Sequence, residues 1–276
     1  MSVTPPPASK PRDGGRVVLW DAELPSRSPL FWPVADAMAR VAVEMKRDAP
    51  AAEAAFPQPE TIDRALAERA GIRFVRQRPV PRRRPRPRAP ESMYDAQISR
   101  EGCVPTRPGS WHDLMNALVW ATFPIAKRAL HARQHRLVVP ALPGESVRRS
   151  RELDALALLD EGGLVVTRDR ALGQLAAVGD RAGAEAQLEA ELASGRATAF
   201  IFGHAIYEGI TLGRSAPLAS VVWVACPGTS GEGDSRRVAA ADLALAAVIA
   251  EHDQLVEPRG MLRLRADDRL LPRGRR

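Results

Sequence analysis

The chain has 276 residues, enough for one large domain or two small ones, and 45% of them are apolar, so a sizeable core is available. The formal charge of +7 is carried by one segment: Arg76, Arg78, Arg82, Arg83, Arg84, Arg86 and Arg88 supply seven charges, and 7 − 7 leaves the rest neutral. The two cysteines, Cys103 and Cys226, lie far apart and exclude a disulfide framework or a CxxC metal site. No stretch approaches the roughly 18 apolar residues of a spanning helix, and the N-terminus lacks the apolar run of a signal peptide. We expect no membrane association and a cytoplasmic protein with reduced thiols.

Residues 1–16 are rich in proline, glycine and charge, which predicts a disordered tail. A single α+β domain is expected over 17–255. Ser28-Pro29 reads as a helix start, with the helix running to about Arg47. Leu30, Val34, Met38, Val41 and Met45 recur every three or four residues, so one face is buried. A second helix is expected from Glu60 to Ala70, closed by Gly71. The loop at 76–90 carries prolines at 79, 81, 85, 87 and 90, which exclude helix and favour extended chain. Arg76 to Arg88 can serve as an electrostatic arm for nucleic acid, or can be an exposed, solvated loop.

Met93 to Arg100 reads as a short helix, and CVPTRPGS as a loop set by two prolines. Ser110 can cap a helix from Trp111 to about Ala121, with Asp113 at the third position. Pro124 then starts another helix at a corner, with a basic face of Lys127, Arg128 and Arg133. No glycine-containing turn precedes it, so the pair is not read as a DNA-reading motif. Residues 150–170 are ambiguous. Ser150 can cap a helix to Leu159, or 155–160 and 164–167 can be two strands around Gly162-Gly163; the β-branched run LVVT favours the hairpin for the second half. Residues 181–193 read as helix, Thr198 to Phe202 as strand, His204 to about Leu212 as helix, Leu218 to Cys226 as strand and Val238 to about Leu255 as helix. The basic segment 256–276 is expected to be a loosely held tail. The class is α+β, mainly helical with a small antiparallel sheet from 155–167, 198–202 and 218–226.

Chemistry-bearing residues concentrate between Glu101 and His135. His112 and Asn116 are four apart and share a helix face; His204 and Glu208 repeat that spacing. If the two helices face one another, His112, His204 and Glu208 are candidate ligands for a divalent metal, with zinc, manganese or iron suiting nitrogen and carboxylate donors. Asp160 and Glu161, beside Gly162-Gly163, are candidates to orient or activate water, and His112 is a candidate acid or base. Arg107, Asn116 and Lys127 are candidates to hold a small anionic substrate. These spacings also arise in buried structural networks, where each imidazole is satisfied by a carbonyl or carboxylate and Arg107 pairs with Glu101 or Asp113. Metal-free acid/base catalysis by His112 or His204 and a Cys103–His112 dyad are further alternatives. HExxH, GxGxxG, GxxxxGK[ST] and GxSxG are absent.

The pattern GCVPTR, WHDLMNALVW and FPIAK, followed in order by RELDALALLDEGG and FGHAIYE, resembles an uncharacterised bacterial family, a domain of unknown function. The resemblance spans about residues 28–255. It implies a soluble bacterial protein and no particular activity. The chain departs from the pattern in its Arg-Pro segment at 76–90 and in lacking Pro-Leu-Pro and Pro-Gly-Trp near its end. The first functional expectation is a metal-dependent hydrolase acting on an anionic substrate. The other is a non-enzymatic adaptor or nucleic-acid-associated protein that uses the Arg/Pro segment.

Overall fold

The computed structural model describes residues 12–13, 16–17, 20–48, 56–77, 94–138, 150–168, 181–226, 232–251, 255–258 and 261–271. Most of the N-terminal tail and nearly all of the Arg/Pro segment lie outside them, so neither expectation is addressed there. Near the start, β1 (Arg12–Asp13) pairs with β2 (Arg16–Val17), and α1 (Leu24–Arg27) forms one turn.

The helix expected from Ser28 is two elements. Residues Pro29–Val34 form a 3-10 helix, and α2 (Ala35–Asp48) follows. Pro33 is the reason: it lacks the amide donor an α-helical ladder needs and its ring crowds the preceding turn. The apolar stripe holds, with Leu30, Val34, Met38 and Val41 buried. Next, α3 (Pro59–Ala70) ends at Gly71, whose φ of 61° is the left-handed conformation that closes helices.

The segment expected as a loop after Gly102 contains a strand. β3 (Arg73–Arg76) pairs in parallel with β4 (Cys103–Thr106), and α4 (Tyr94–Glu101) precedes β4. Val104 and Thr106 turn inward beside Phe74, which gives the strand its hold despite its length. Pro105 is tolerated because β4 has no strand on its other side among the described residues.

Two helices form the centre. α5 (Trp111–Thr122) buries ten of its residues, including Trp120 and Leu114. Ser110 caps it by accepting from the Asp113 amide at 3.2 Å. Across a corner at Phe123, α6 (Pro124–Val138) starts at its proline. Its first free amides, those of Ile125 and Ala126, donate to the buried Asp242 carboxylate at 3.1 and 2.7 Å. Burial pushes that carboxyl up to about 6, against the pull of the two amides. The basic face expected on α6 is engaged by the fold itself, with Lys127 and Arg133 buried and Arg128 exposed. Arg128 donates to the carbonyls of Ala70 and Gly71, Arg133 to Glu152 and the Ile249 carbonyl, and Lys127 is fully buried.

Residues 155–160 are helical and not a strand, a correction to the hairpin reading. α7 (Arg151–Gly162) is capped by Ser150, carries Glu152 and Asp154 in its first turn, and buries Ala155, Leu156 and Leu159 on one face. Gly162-Gly163 is therefore a helix-to-strand junction. β5 (Gly163–Arg168), α8 (Arg181–Ser194), β6 (Ala197–Ile201), α9 (His204–Thr211), β7 (Leu218–Ala225) and α10 (Asp234–Glu251) follow.

The class is α+β and mainly helical, as read from the sequence, but the sheet is mixed. Its order is β6-β5-β7-β8, with β5 antiparallel to β6 and parallel to β7. Helix α9 lies between β6 and β7, and β5 enters from α7 in the same sense as β7, which makes that pair parallel. The fourth strand, β8 (Arg263–Arg265), comes from the segment expected to be loose. It pairs with β7, and Leu264, Leu270 and Leu271 are buried. The burial of these leucines explains why the segment is held. Among the described residues no helix is long and apolar enough to cross a membrane.

Candidate metal centre

Three backbone junctions come together: the start of α5, the end of α7 and the start of α9. Gly203 brings the last two together. A Cβ built there would stand 2.4 Å from the Gly163 amide nitrogen, 2.5 Å from Gly162 Cα and 2.6 Å from the Glu161 carbonyl oxygen, all backbone atoms that cannot yield by rotation. Only a glycine lets the strand β6 exit so close to the α7–β5 turn. Gly203→Ala is thus expected to destabilise the protein by about 1–3 kcal/mol, the usual cost of overpacking. A denaturant titration checks this, and an unchanged midpoint would contradict the close approach.

That approach places His204, the first residue of α9, beside Asp160 and Glu161. His204 is 2% exposed. Its Nδ1 lies 2.8 Å from the Asp160 carbonyl oxygen. A carbonyl only accepts, so Nδ1 carries the proton and Nε2 presents a lone pair. His112 projects from the first turn of α5. Its Nδ1 lies 3.0 Å from Glu208 Oε2, one turn along α9 from His204. The carboxylate accepts there, which leaves the second lone pair on His112 Nε2.

The two Nε2 atoms face each other at 3.0 Å, with ring centroids 4.5 Å apart and planes at 73°. Glu161 completes the group: Oε2 is 3.4 Å from His204 Nε2, and Oε1 is 3.9 Å from His112 Nε2. Two lone pairs at that separation repel. Only a cation, either a proton between them or a metal ion beside them, satisfies both. Two imidazoles bound to one tetrahedral zinc at ~2.0–2.1 Å would have their nitrogens about 3.3 Å apart. The ligand atoms of His112, Glu161 and His204 all lie within 4.8 Å of one another. His112 is 32% and Glu161 50% exposed at the side chain, so one side of the group opens to solvent.

The charges follow the same geometry. Burial drives His204 down to about 3, so it stays neutral and available as a ligand. The hydrogen bond to Glu208 raises His112 above its ordinary value, against burial. Burial raises Glu161, with Asp160 adding to it and His112 opposing. Burial would also raise Asp160, yet the adjacent Lys127 ammonium holds its carboxyl well below the usual range.

The eight residues singled out from the sequence divide into four groups. His112, His204 and Glu161 converge on one point. Glu208 lies on the far nitrogen of His112, and Asp160 offers its carbonyl to His204. Asn116 and Lys127 sit behind the site: Lys127 Nζ donates to Asn116 Oδ1 at 2.7 Å and to Asp160 Oδ1 at 2.5 Å, and Asn116 Nδ2 donates to the Tyr94 hydroxyl at 3.0 Å. Arg107 is paired with Asp113 through two side-chain bonds of 2.9 and 2.7 Å and through its amide at 2.6 Å. The Cys103 thiol lies 3.6 Å from Glu101, and burial pushes it up, which does not favour a thiolate nucleophile. Neither cysteine is in a disulfide. Of the arginines in the Arg76–Arg88 arm only Arg76 is described, and it pairs with Glu60. Sequence reasoning did not single out Tyr94 or Gly203. A tyrosine on a short helix and a glycine between a strand and a helix carry no signal of what they approach.

Residues 72–264 match the model of a family described as protein of unknown function, DUF3025. No curated protein and no solved structure matches the chain.

Proposed function

The chain belongs to that family, and we propose that His112, Glu161 and His204 hold one divalent cation and that the protein is a metal-dependent hydrolase. The observation that carries this reading is the approach of the two Nε2 atoms to 3.0 Å, with the Nδ1 of each ring turned to an oxygen acceptor. Fixing the far nitrogen is how metal-ligating histidines are generally oriented. Two histidines and one carboxylate leave a position for water, the pattern of catalytic rather than structural zinc, and also suit manganese or iron. Zinc held there would bring the pKa of a bound water to about 7, making hydroxide available near neutrality.

The protein residues divide the work. Glu161 both ligates and sits at the solvent side. Glu208 orients His112 and Asp160 orients His204. Of the three residues expected to bind an anionic group, Arg107 alone is exposed, while Asn116 and Lys127 are buried. An anionic substrate would therefore be met by Arg107, whose charge is already partly matched by Asp113.

Elemental analysis of protein purified without chelators should find close to one equivalent of a transition metal. Chelation should remove it, and His112→Ala together with His204→Ala should prevent its return. Folded protein that takes up no zinc, manganese or iron(II) would mean that a shared proton bridges the rings, and the metal reading would fall. With metal bound, hydrolysis of activated carboxylic and phosphate esters should stop on chelation and resume on reloading. Bound metal without turnover in either class would remove the hydrolase.

A further inference from the structure

Lys127 is fully buried, yet it carries a charge into the interior. A lysine there with no function would be a poor choice, because taking an ammonium out of water is costly unless every proton is matched. Here the matching is close to complete. Nζ donates to Asp160 Oδ1 and Asn116 Oδ1 and lies over the Trp120 and Phe202 rings, 5.5 and 5.9 Å from their centroids. Asn116 is held in turn by Tyr94. The consequence falls on Asp160. Its carboxylate lies 3.9 Å from His204 Nδ1, close to the N–H that its own backbone carbonyl accepts at 2.8 Å. A free carboxylate is the stronger acceptor and would compete for that proton. The Lys127 ammonium occupies that same oxygen, Asp160 Oδ1, at 2.5 Å.

We propose that Lys127 is a positioning residue of the metal centre. By engaging the Asp160 carboxylate it leaves His204 bonded to the Asp160 backbone, and so aims His204 Nε2 at His112 and Glu161. Without the ammonium, Asp160 takes the His204 N–H with its side chain, the ring turns, and Nε2 leaves the point of convergence. This rests on the metal reading above and assigns a role to the Tyr94–Asn116–Lys127–Asp160 chain that leads away from the site.

The test is zinc affinity by competition titration on folded full-length protein, with thermal stability measured beside it. Lys127→Met is expected to weaken zinc binding about 10–100-fold, the range for groups that orient a ligand. Lys127→Met with Asp160→Asn, which keeps the carbonyl and removes the competing charge, is expected to recover most of that loss. A Lys127→Met protein that melts earlier but binds zinc within twofold of wild type overturns the proposal, as does a double variant no better than the single one. If Lys127→Met does not fold, Lys127→Gln retains a donor without the charge and should show the same loss; unchanged affinity there also overturns it. Failure of the wild-type protein to bind zinc, manganese or iron(II) would instead strike the metal reading itself.

Discussion

Replacing His204 by alanine is expected to weaken divalent-metal binding by about two orders of magnitude or more. Affinities of protein zinc sites, shared among their ligands, correspond to roughly 3 kcal/mol for each one. His112→Ala and Glu161→Gln should behave alike, since each supplies one of the three converging atoms. Glu208→Gln should differ. Its carboxylate touches His112 Nδ1 and not the point of convergence. Gln can still accept from that nitrogen, so the loss should be the smaller, about tenfold, effect of a weakened orienting bond. Isothermal titration with zinc and manganese separates the two classes. If Glu208→Gln costs as much as Glu161→Gln, Glu208 is a ligand, as the HxxxE spacing first suggested, and the assignment of roles is wrong. If His204→Ala binds like wild type, there is no site.

The second large effect concerns pH in the metal-free protein. The buried His204 has a folded value of about 3, below its unfolded value near 6.5. As pH falls, the unfolded chain therefore takes up this proton first. The contribution is nil above about 6.5 and becomes increasingly destabilising down to about 3, on the order of 1 kcal/mol for each pH unit. His112 acts with the opposite sign. Its folded value is raised by Glu208, so the stability it adds is present at low pH and is lost as pH rises through that raised value. Between about 5.5 and 3, His112 is charged in both states and its contribution is constant, so the His204 slope is exposed. Urea titrations at pH 5.5 and 4.5 should show wild type losing more stability over that unit than His204→Gln does. Equal slopes would place His204 in a wetter surrounding than its 2% exposure describes.

Much of the helical part of this protein follows from local chemistry. Ser110 and Ser150 cap their helices through their own side chains, Pro124 opens α6, and Gly71 closes α3. Such signals act within one turn, so the sequence contains them entirely. The four-residue spacings were equally legible: they put His204 and Glu208 on one face of α9, and both reach His112. What failed was whatever depends on a distant partner. Residues 155–160 suit a strand or a helix until the buried faces of Ala155, Leu156 and Leu159 choose. β4 and β8 are too short to announce themselves and exist because β3 and β7 accept them.

The site divides in the same way. By its own order of residues the sequence determined the helix starts, the capping groups and the membership of two imidazoles and several carboxylates in a small candidate set. Which atom of each residue faces the centre was decided by tertiary structure alone. The contact of Gly203 with the α7–β5 junction moves Glu161, rather than Glu208, beside the two Nε2 atoms. The buried Lys127, which reads in sequence as part of a basic surface, instead engages Asp160. The reason is one of range. Helix periodicity fixes directions around a single axis, whereas a ligand set depends on distances among three chain segments, and packing sets those only when the chain closes on itself.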